Sequence, residues 1–206
     1  MLRSSFILLI CLFTSVLLAQ DEKWDRKTLK KARTASQLSY LTNVEKDVIF
    51  YTNLVRMNPL LFEKTFLQTY IKKNEMEPNR WIRSLKIALR KTEPMNELIP
   101  REDLYKAAKK HAIDMGKSGK IGHKTSRGKS FDDRMKHLYK AYQQVYENCN
   151  YGFADGLSIV CDLLIDMDVP DAGHRKTILN PALRYIGTSV QPHKEYQVNC
   201  VQDLGS

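Results

Sequence analysis

The chain has 206 residues, of which 43% are hydrophobic and 27% are charged, and its 33 basic and 23 acidic residues give a formal net charge of +10. This length and apolar content suit one globular domain with a sizeable core. Nine Gly, seven Pro and four Cys exclude a collagen-like, a low-complexity or a disulfide-scaffold protein.

The N-terminus has the pattern of a secretory signal peptide. Arg3 precedes the apolar run over residues 6–18, and the small residue Ala19 follows it. We predict cleavage after Ala19, which removes residues 1–19, leaves no transmembrane segment and places the mature protein in a periplasm or outside the cell. The run is shorter than the about 17–25 apolar residues that a membrane anchor needs. Lipidation at Cys11 is a further alternative, although no small residue precedes it.

The mature chain begins with a polar segment. Residues 20–40 are rich in basic residues and poor in large apolar side chains, so we expect a loosely ordered lead-in to one domain over residues 41–206. The domain contains an odd number of cysteines, Cys149, Cys161 and Cys200. Either one intrachain disulfide forms and the remaining thiol stays free or pairs between chains, or all three are buried thiols.

Helical periodicity dominates the first half of this domain. Thr42 and Glu45 have the spacing of a capping box, and the helix behind them is predicted to end near Met57. Pro59 starts a second helix. The next elements in chain order are a polar connection over 71–100 with a helical turn near 81–89, a helix over 101–117, a basic loop over 116–130 and a helix from Ser130 to about Tyr142.

The second half adds strands to the helices. The predicted elements are a strand over 145–149, a helix over 156–166 capped by Asp155, a short helix over 173–179, and strands over 185–190 and 195–202 joined by a turn at Pro192-His193. Helices that flank a short antiparallel sheet indicate a layered α+β fold.

Three motifs lie in this second half: Gly122-His123, the segment Glu147-Asn148-Cys149-Asn150-Tyr151-Gly152, and Gly173-His174-Arg175. They follow a helix with Asn53, Arg56, Asn58 and Pro59, and a second helix over 108–115. In this order, over 41–204, the motifs resemble the CAP superfamily, or SCP domain, which includes cysteine-rich secretory proteins, antigen-5-like allergens, plant pathogenesis-related proteins and bacterial exported proteins. The resemblance implies a three-layer α-β-α sandwich with a small antiparallel sheet and a central cleft.

The resemblance also implies a cleft with two histidines and two acidic residues. By motif these are His123, Glu147 and His174, with Asp166 in the second acidic position, behind Leu163 where the family has an aromatic residue. Two neutral imidazoles can bind Zn²⁺ or another divalent metal, with a carboxylate or water completing the coordination. We therefore predict His123 and His174 as metal ligands, with Glu147 and Asp166 as additional candidates.

Three functions remain open for this cleft. The first is a binding protein for a divalent metal or for a lipid, sterol, glycan or small anion. The second is a metal-dependent hydrolase of peptides or envelope polymers, in which Glu147 is the catalytic candidate. The third is a structural or interaction module, whose histidines and acids only brace the cleft. The sequence favours binding over catalysis, since it has no nucleophile elbow, phosphate loop or dinucleotide fingerprint.

Two further residues could be considered for the site. A nucleophilic Cys149 near His174 would need a lowered thiol pKa and exposure. His111 lies on the apolar face of its predicted helix, beside Ala108 and Ala112, which is typical of a core histidine. We therefore leave His111 out of the predicted site.

Charge is distributed unevenly along the chain. Residues 101–140 carry 12 basic and 5 acidic residues, whereas residues 141–206 carry 4 basic and 8 acidic residues. We expect Lys124, Arg127 and Arg175 to form a cationic cleft rim, which would favour an anionic ligand. The alternative is a solvated lysine-rich face. Nucleic acid is not an expected partner, because no binding motif is present and export is predicted.

Overall fold

The computed structural model describes residues 23–206, so the predicted signal peptide lies outside the described residues. The α-helices are α1 (Arg26–Ala32), α2 (Asn43–Met57), α3 (Pro59–Phe62), α4 (Gln68–Lys73), α5 (Arg80–Lys91), α6 (Glu102–Ser118), α7 (Phe131–Met135), α8 (Gly156–Ile165) and α9 (Gly173–Ile178). A π-helical turn (Glu63–Leu67) joins α3 to α4, and a 3₁₀ turn (Leu138–Lys140) follows α7. None of the helices within the described range is long and apolar enough to span a bilayer.

Four strands form one sheet. They are β1 (Ile99–Pro100), β2 (Val145–Tyr151), β3 (Tyr185–His193) and β4 (Gln197–Gly205), in the spatial order β1-β3-β4-β2. β4 pairs antiparallel with both β3 and β2, whereas the short β1 pairs parallel with β3. The register aligns Glu147 of β2 with Asp203 of β4, and Asp203 with Gly187 of β3. These three residues therefore share one face of the sheet.

Alternating side chains on β4 contact a different layer of helices on each face of the sheet. Val201 packs with Ala112 of α6 on one face. On the other face, Cys200 belongs to the large apolar cluster that contains α2 and α8, and Gln202 donates to the hydroxyl of Thr52 on α2. The sheet thus lies between helices, and the predicted α-β-α sandwich is confirmed.

Helix α6 approaches the sheet closely at Gly187. A Cβ at this position would overlap the backbone of Leu104 and Tyr105. Only glycine allows this contact between helix and strand. The close approach brings the inner face of α6, including His111, next to the residues of β2 and β4 that point toward it.

The segment before residue 41 is ordered, so the expectation of a loosely ordered lead-in is wrong for its described part. Asp25 caps α1 by accepting a hydrogen bond from the backbone of Thr28. Trp24 is 3% exposed, donates from Nε1 to the Thr65 hydroxyl over 3.2 Å and lies against the ring of Phe66. One large buried aromatic residue anchors a segment whose composition is otherwise polar.

The helix predicted from Ser130 to Tyr142 is shorter in the structure. Ser130 caps it as predicted by accepting a hydrogen bond from the backbone of Asp133, but α7 ends at Met135. Leu138 and Tyr142 then pack with Met135 in an apolar cluster against α6. This tertiary packing outweighs the helical pattern of the local sequence.

The hairpin between β3 and β4 turns later than predicted. Pro192 and His193 belong to β3, and the turn falls after them. Nδ1 of His193 accepts hydrogen bonds from the backbone of Glu195 and Tyr196, each over 3.2 Å. The imidazole therefore fixes the turn.

The capping box of α2 provides a local test of stability. The Thr42 hydroxyl accepts from the backbone of Glu45, and the Glu45 carboxylate accepts from the backbone of Thr42. We expect Thr42→Ala to lower the free energy of unfolding by about 1 kcal/mol. Thr42→Ser keeps the hydroxyl and should stay close to wild type. Urea unfolding of both variants measures the difference, and equal losses would contradict the capping role.

Candidate functional site

The site is built where the edge strand β2 faces α6. Glu147, Cys149 and Tyr151 alternate along β2 and point toward this helix. Nε2 of His111 on α6 donates to the carbonyl of Gly122 over 2.8 Å, and the backbone of Gly122 donates to the hydroxyl of Tyr151 over 2.8 Å. These bonds connect α6, the loop after it and β2.

Glu147 is buried, and a cationic side chain balances the negative charge of its carboxylate. Nη2 of Arg134 lies 2.6 and 2.7 Å from its two oxygens, and Nδ1 of His123 lies 2.9 Å from Oε1. The same Arg134 nitrogen donates to the carbonyl of His123 over 2.9 Å. Burial raises the pKa of Glu147, but the hydrogen bond from His123 and the charge of Arg134 outweigh it and hold this pKa below its ordinary value. Glu147 is therefore an ionised group with a cationic partner.

Asp203 is a second acid beside Glu147. It is fully buried, and neither of its oxygens receives a hydrogen bond from a donor group within residues 23–206. Burial and the charge of Glu147 raise the pKa of Asp203 well above its ordinary value. Asp203 therefore keeps its proton to higher pH than an aspartic acid with the ordinary pKa. This proton can be donated to the Glu147 carboxylate.

This raised pKa makes stability depend on pH. The folded protein retains a proton that the unfolded chain releases above about pH 4, so stability falls as pH rises toward the folded pKa, by up to about 1.4 kcal/mol per pH unit. We expect Asp203→Asn to flatten this slope above about pH 4, because asparagine does not titrate. Urea unfolding at several pH values in that range measures the slope. Asp132→Asn is the control, because Asp132 is exposed. An unchanged slope in Asp203→Asn would contradict the assignment.

His111 belongs to the site, although its helix pattern had indicated a core histidine. Its side chain is buried, its Nε2 lies 3.8 Å from Oε1 of Glu147, and its Nδ1 has no hydrogen-bond partner within the described chain. Burial lowers the pKa of His111. Ligand atoms of His111, Glu147 and Cys149 lie within 4.8 Å of one another, near enough to share a metal ion, and this is the one such group of three found among residues 23–206.

The chemistry of this triad does not suit a bound metal. The guanidinium of Arg134 contacts both oxygens of Glu147, and Nε2 of His111 donates to a carbonyl. Burial raises the pKa of the Cys149 thiol, whereas a metal ligand or a nucleophile must be a thiolate. The same argument opposes a nucleophilic Cys149. All three described cysteines are free and buried.

His174 and Asp166 form a separate pair. Nδ1 of His174 lies 2.7 Å from Oδ1 of Asp166, whose other oxygen accepts from the backbone of His174. The backbone carbonyl of His174 lies 3.5 Å from the side-chain amide of Asn148, which follows Glu147 on β2 and points to the opposite face. The four predicted side chains therefore form two pairs, and no hydrogen bond or ion pair within residues 23–206 joins His123 to His174.

Arg175, which the sequence predicted at the cleft rim, is buried instead. Its guanidinium donates to the carbonyls of Leu164 and Ile165 and to the hydroxyl of Ser84. These bonds connect α9 to α8 and α5, so Arg175 stabilises the fold. Lys124 is exposed, outside the cavity that Arg127 lines.

A cavity of about 960 Å³ lies between α6 and residues 125–140. His111 and Arg134 both line it, so the cavity borders the Glu147 cluster. Six other basic residues and two aspartates also line it: Lys110, Lys117, Arg127, Lys129, Lys136 and Lys140, with Asp114 and Asp133. We call these six the cavity cations. None of their side chains forms a hydrogen bond or ion pair within residues 23–206, whereas Ser126 and Ser130 donate to the two aspartates.

The comparison with protein families identifies the chain. The model of the CAP family, described as the cysteine-rich secretory protein family, matches residues 87–204. The chain belongs to the CAP family. The match contains both histidine–carboxylate pairs, Arg134, Asp203 and the cavity, whereas α1 to α4 precede it. A search of curated proteins found no significant match.

Three solved structures resemble this CAP domain at low identity. An extracellular SCP-domain protein of Bacillus anthracis is 21% identical over 54% of this chain and 34% of its own, with a TM-score of 0.45. An outer surface protein of Borrelia burgdorferi is 19% identical over 54% and 79%, with a TM-score of 0.43. A cysteine-rich secretory protein of Staphylococcus aureus is 18% identical over 64% and 40%, with a TM-score of 0.39. The chain spans about a third of the length of the Bacillus protein.

Proposed function

We propose that this CAP domain is a binding protein that holds an anionic ligand in the cavity beside Glu147. The supporting observation is the set of six cavity cations, none of which forms a close ion pair within residues 23–206 and which outnumber the two aspartates of the lining. Both aspartates in the lining are already held by serines. Like charges around one cavity repel each other, and a bound anion would relieve that repulsion.

The volume of the cavity and the ion pair between Glu147 and Arg134 favour binding over hydrolysis. A volume of about 960 Å³ is within the range of about 300–1,000 Å³ typical of small-molecule sites. Glu147, the catalytic candidate, is engaged at both oxygens by Arg134 and is not free to activate water. A hydrolase would need this ion pair to open.

We test this function by calorimetric titration of the purified protein with pyrophosphate at low salt. Saturable binding is expected, and Lys129→Gln/Lys136→Gln should weaken it by about five- to tenfold, because two exposed charges each contribute up to about 1 kcal/mol. Lys64→Gln/Lys72→Gln removes the same charge from a smaller basic pocket elsewhere and is the matched control. Equal weakening in both double variants would show a net-charge effect and overturn the proposal.

A divalent metal is the second candidate ligand, at His123 and His174. Each imidazole has its Nδ1 on a carboxylate, which fixes the ring and leaves Nε2 available to a metal. Zn²⁺ with nitrogen ligands from both rings would require His123 and His174, which no hydrogen bond or ion pair within residues 23–206 joins, to approach each other, while Glu147 and Asp166 orient them. Calorimetric titration with Zn²⁺ should show binding that His123→Ala/His174→Ala abolishes. Unchanged binding in that variant would exclude this metal site.

Export is also part of the proposed function. It rests on the apolar run over residues 6–18 and the small residue Ala19, and the secretory description of the family agrees with it. Intact mass measurement of the protein from an exporting host should show a chain that begins at Gln20. A mass that includes residues 1–19 would contradict cleavage.

A further inference from the structure

We infer that the ligand of this cavity is a linear polyanion, a chain with negative charges repeated along its length, instead of one compact anion. This inference rests on the proposed anion binding and specifies the class of ligand. It follows from where the cavity cations lie along the groove, and from which of the basic residues in the lining are free to bind.

The cations on α6 are widely spaced for one small anion. Lys110 and Lys117 are seven residues apart on this helix, so they lie two turns apart on one face, about 10 Å along its axis. Asp114 lies between them, but its carboxylate is occupied by the backbone and hydroxyl of Ser126. A single phosphate or sulfate group contacts both lysines only if both flexible stems bend toward it, whereas a chain with charges along its length pairs with both lysines without that bending.

The opposite wall of the cavity continues the same pattern. Four of the cavity cations come from the loop before α7 and from the segment after it: Arg127, Lys129, Lys136 and Lys140. Positive charge thus lines both sides of the groove. A chain lying between the walls can contact cations on both of them.

Arg134 does not take part in this recognition as a free charge. Its guanidinium is held by Glu147 and by the carbonyl of His123, at the inner end of the cavity. Binding therefore depends on the exposed lysines and on Arg127. Each exposed charge contributes little alone, so a useful affinity requires several contacts at once and falls steeply with salt.

The test is a chain-length series on the purified protein at low salt. Pyrophosphate, tripolyphosphate and a long-chain polyphosphate are titrated by calorimetry, and a sulfated glycan fragment is titrated as a second source of repeated charge. We expect the long chains to bind at least about tenfold more tightly than pyrophosphate. Binding of either long chain that is tighter than pyrophosphate binding by this factor supports a linear polyanion as the ligand.

The variant Lys110→Gln/Lys117→Gln removes the two separated charges on α6. We expect long-chain binding to weaken by about five- to tenfold and pyrophosphate binding by less than about twofold, because a long chain pairs with both positions at once whereas a short anion gains little from the second one. Lys64→Gln/Lys72→Gln, in the smaller basic pocket, should leave both affinities close to wild type.

The outcomes separate this inference from the function on which it rests. Pyrophosphate binding that is as tight as long-chain binding, and equally weakened by the Lys110/Lys117 variant, would overturn the linear polyanion while anion binding stands. No binding of any anion would overturn both. Equal losses in the variant and its control would also overturn both, since net charge alone would explain them.

Discussion

Replacing Arg56 with methionine is expected to lower the free energy of unfolding by about 3–5 kcal/mol. Arg56 is 1% exposed, and its guanidinium donates to four backbone carbonyls, those of Asn96, Ile178, Asn180 and Leu183. No carboxylate within residues 23–206 forms an ion pair with it. Burial lowers the pKa of Arg56 to about 10, so the side chain is still charged at neutral pH.

The expected loss of stability in Arg56→Met arises because methionine fills the space of the arginine but supplies no hydrogen-bond donors. The four carbonyls would lose their partners in the interior, and α2 would lose its connection to the segment between α9 and β3. Arg56→Lys should recover only part of the loss, because an ammonium lacks the planar fork that reaches several carbonyls.

Urea unfolding followed by tryptophan fluorescence measures this effect. Arg83→Met on α5 is the control, since Arg83 is exposed, and it should change stability by less than about 0.5 kcal/mol. A loss below about 1 kcal/mol in Arg56→Met would mean that the four carbonyls find other partners and that Arg56 is not a major contributor.

The elements that sequence predicts well are those with local signals. The Thr42–Glu45 capping box, the Asp155 cap and the apolar stripe of α6 all mark elements that the structure contains. Each signal lies within a few residues of the element that it starts or defines. Trp24 lacks such a signal, because its partners Thr65 and Phe66 are distant in sequence.

The same distinction applies to the candidate site. Short motifs singled out His123, Glu147 and His174, since each lies in a recognisable segment. Arg134 and Asp203 were not predicted, because a charged residue in a short helix is usually solvated and an acid on a strand is usually exposed. Only the pairing of β2 with β4, and the packing of α7 next to them, places both residues against Glu147.

Replacing Arg134 with methionine is expected to lower the free energy of unfolding by about 3 kcal/mol at neutral pH, because it leaves the buried Glu147 without its cationic partner. The arginine side chain is 9% exposed and that of Glu147 is 1% exposed, so solvent cannot replace the lost contacts. His123 and the protonated Asp203 would then be the remaining donors beside the carboxylate.

The contribution of Glu147 to the pH dependence of stability should change sign in the same variant. In the wild type the pKa of Glu147 is held below its ordinary value, so this carboxylate stabilises the fold above that ordinary value and loses its effect as pH falls through the folded pKa. Without Arg134, burial becomes the dominant cause and raises the pKa of Glu147. The variant should therefore gain more stability than the wild type as pH falls from about 7 toward about 5, because its Glu147 adds to the gain that Asp203 gives in both proteins.

A double-mutant cycle separates the ion pair from packing. Glu147→Gln removes the buried charge but keeps the shape, so Arg134→Met combined with Glu147→Gln should recover much of the stability lost in Arg134→Met alone. Urea unfolding of the four proteins gives the coupling energy, for which we expect about 2 kcal/mol. Additive losses would show that Arg134 acts through packing of its stem and not through charge. In that case Glu147 would be free of its cation in solution, and the hydrolase and metal-binding alternatives at this carboxylate would gain support.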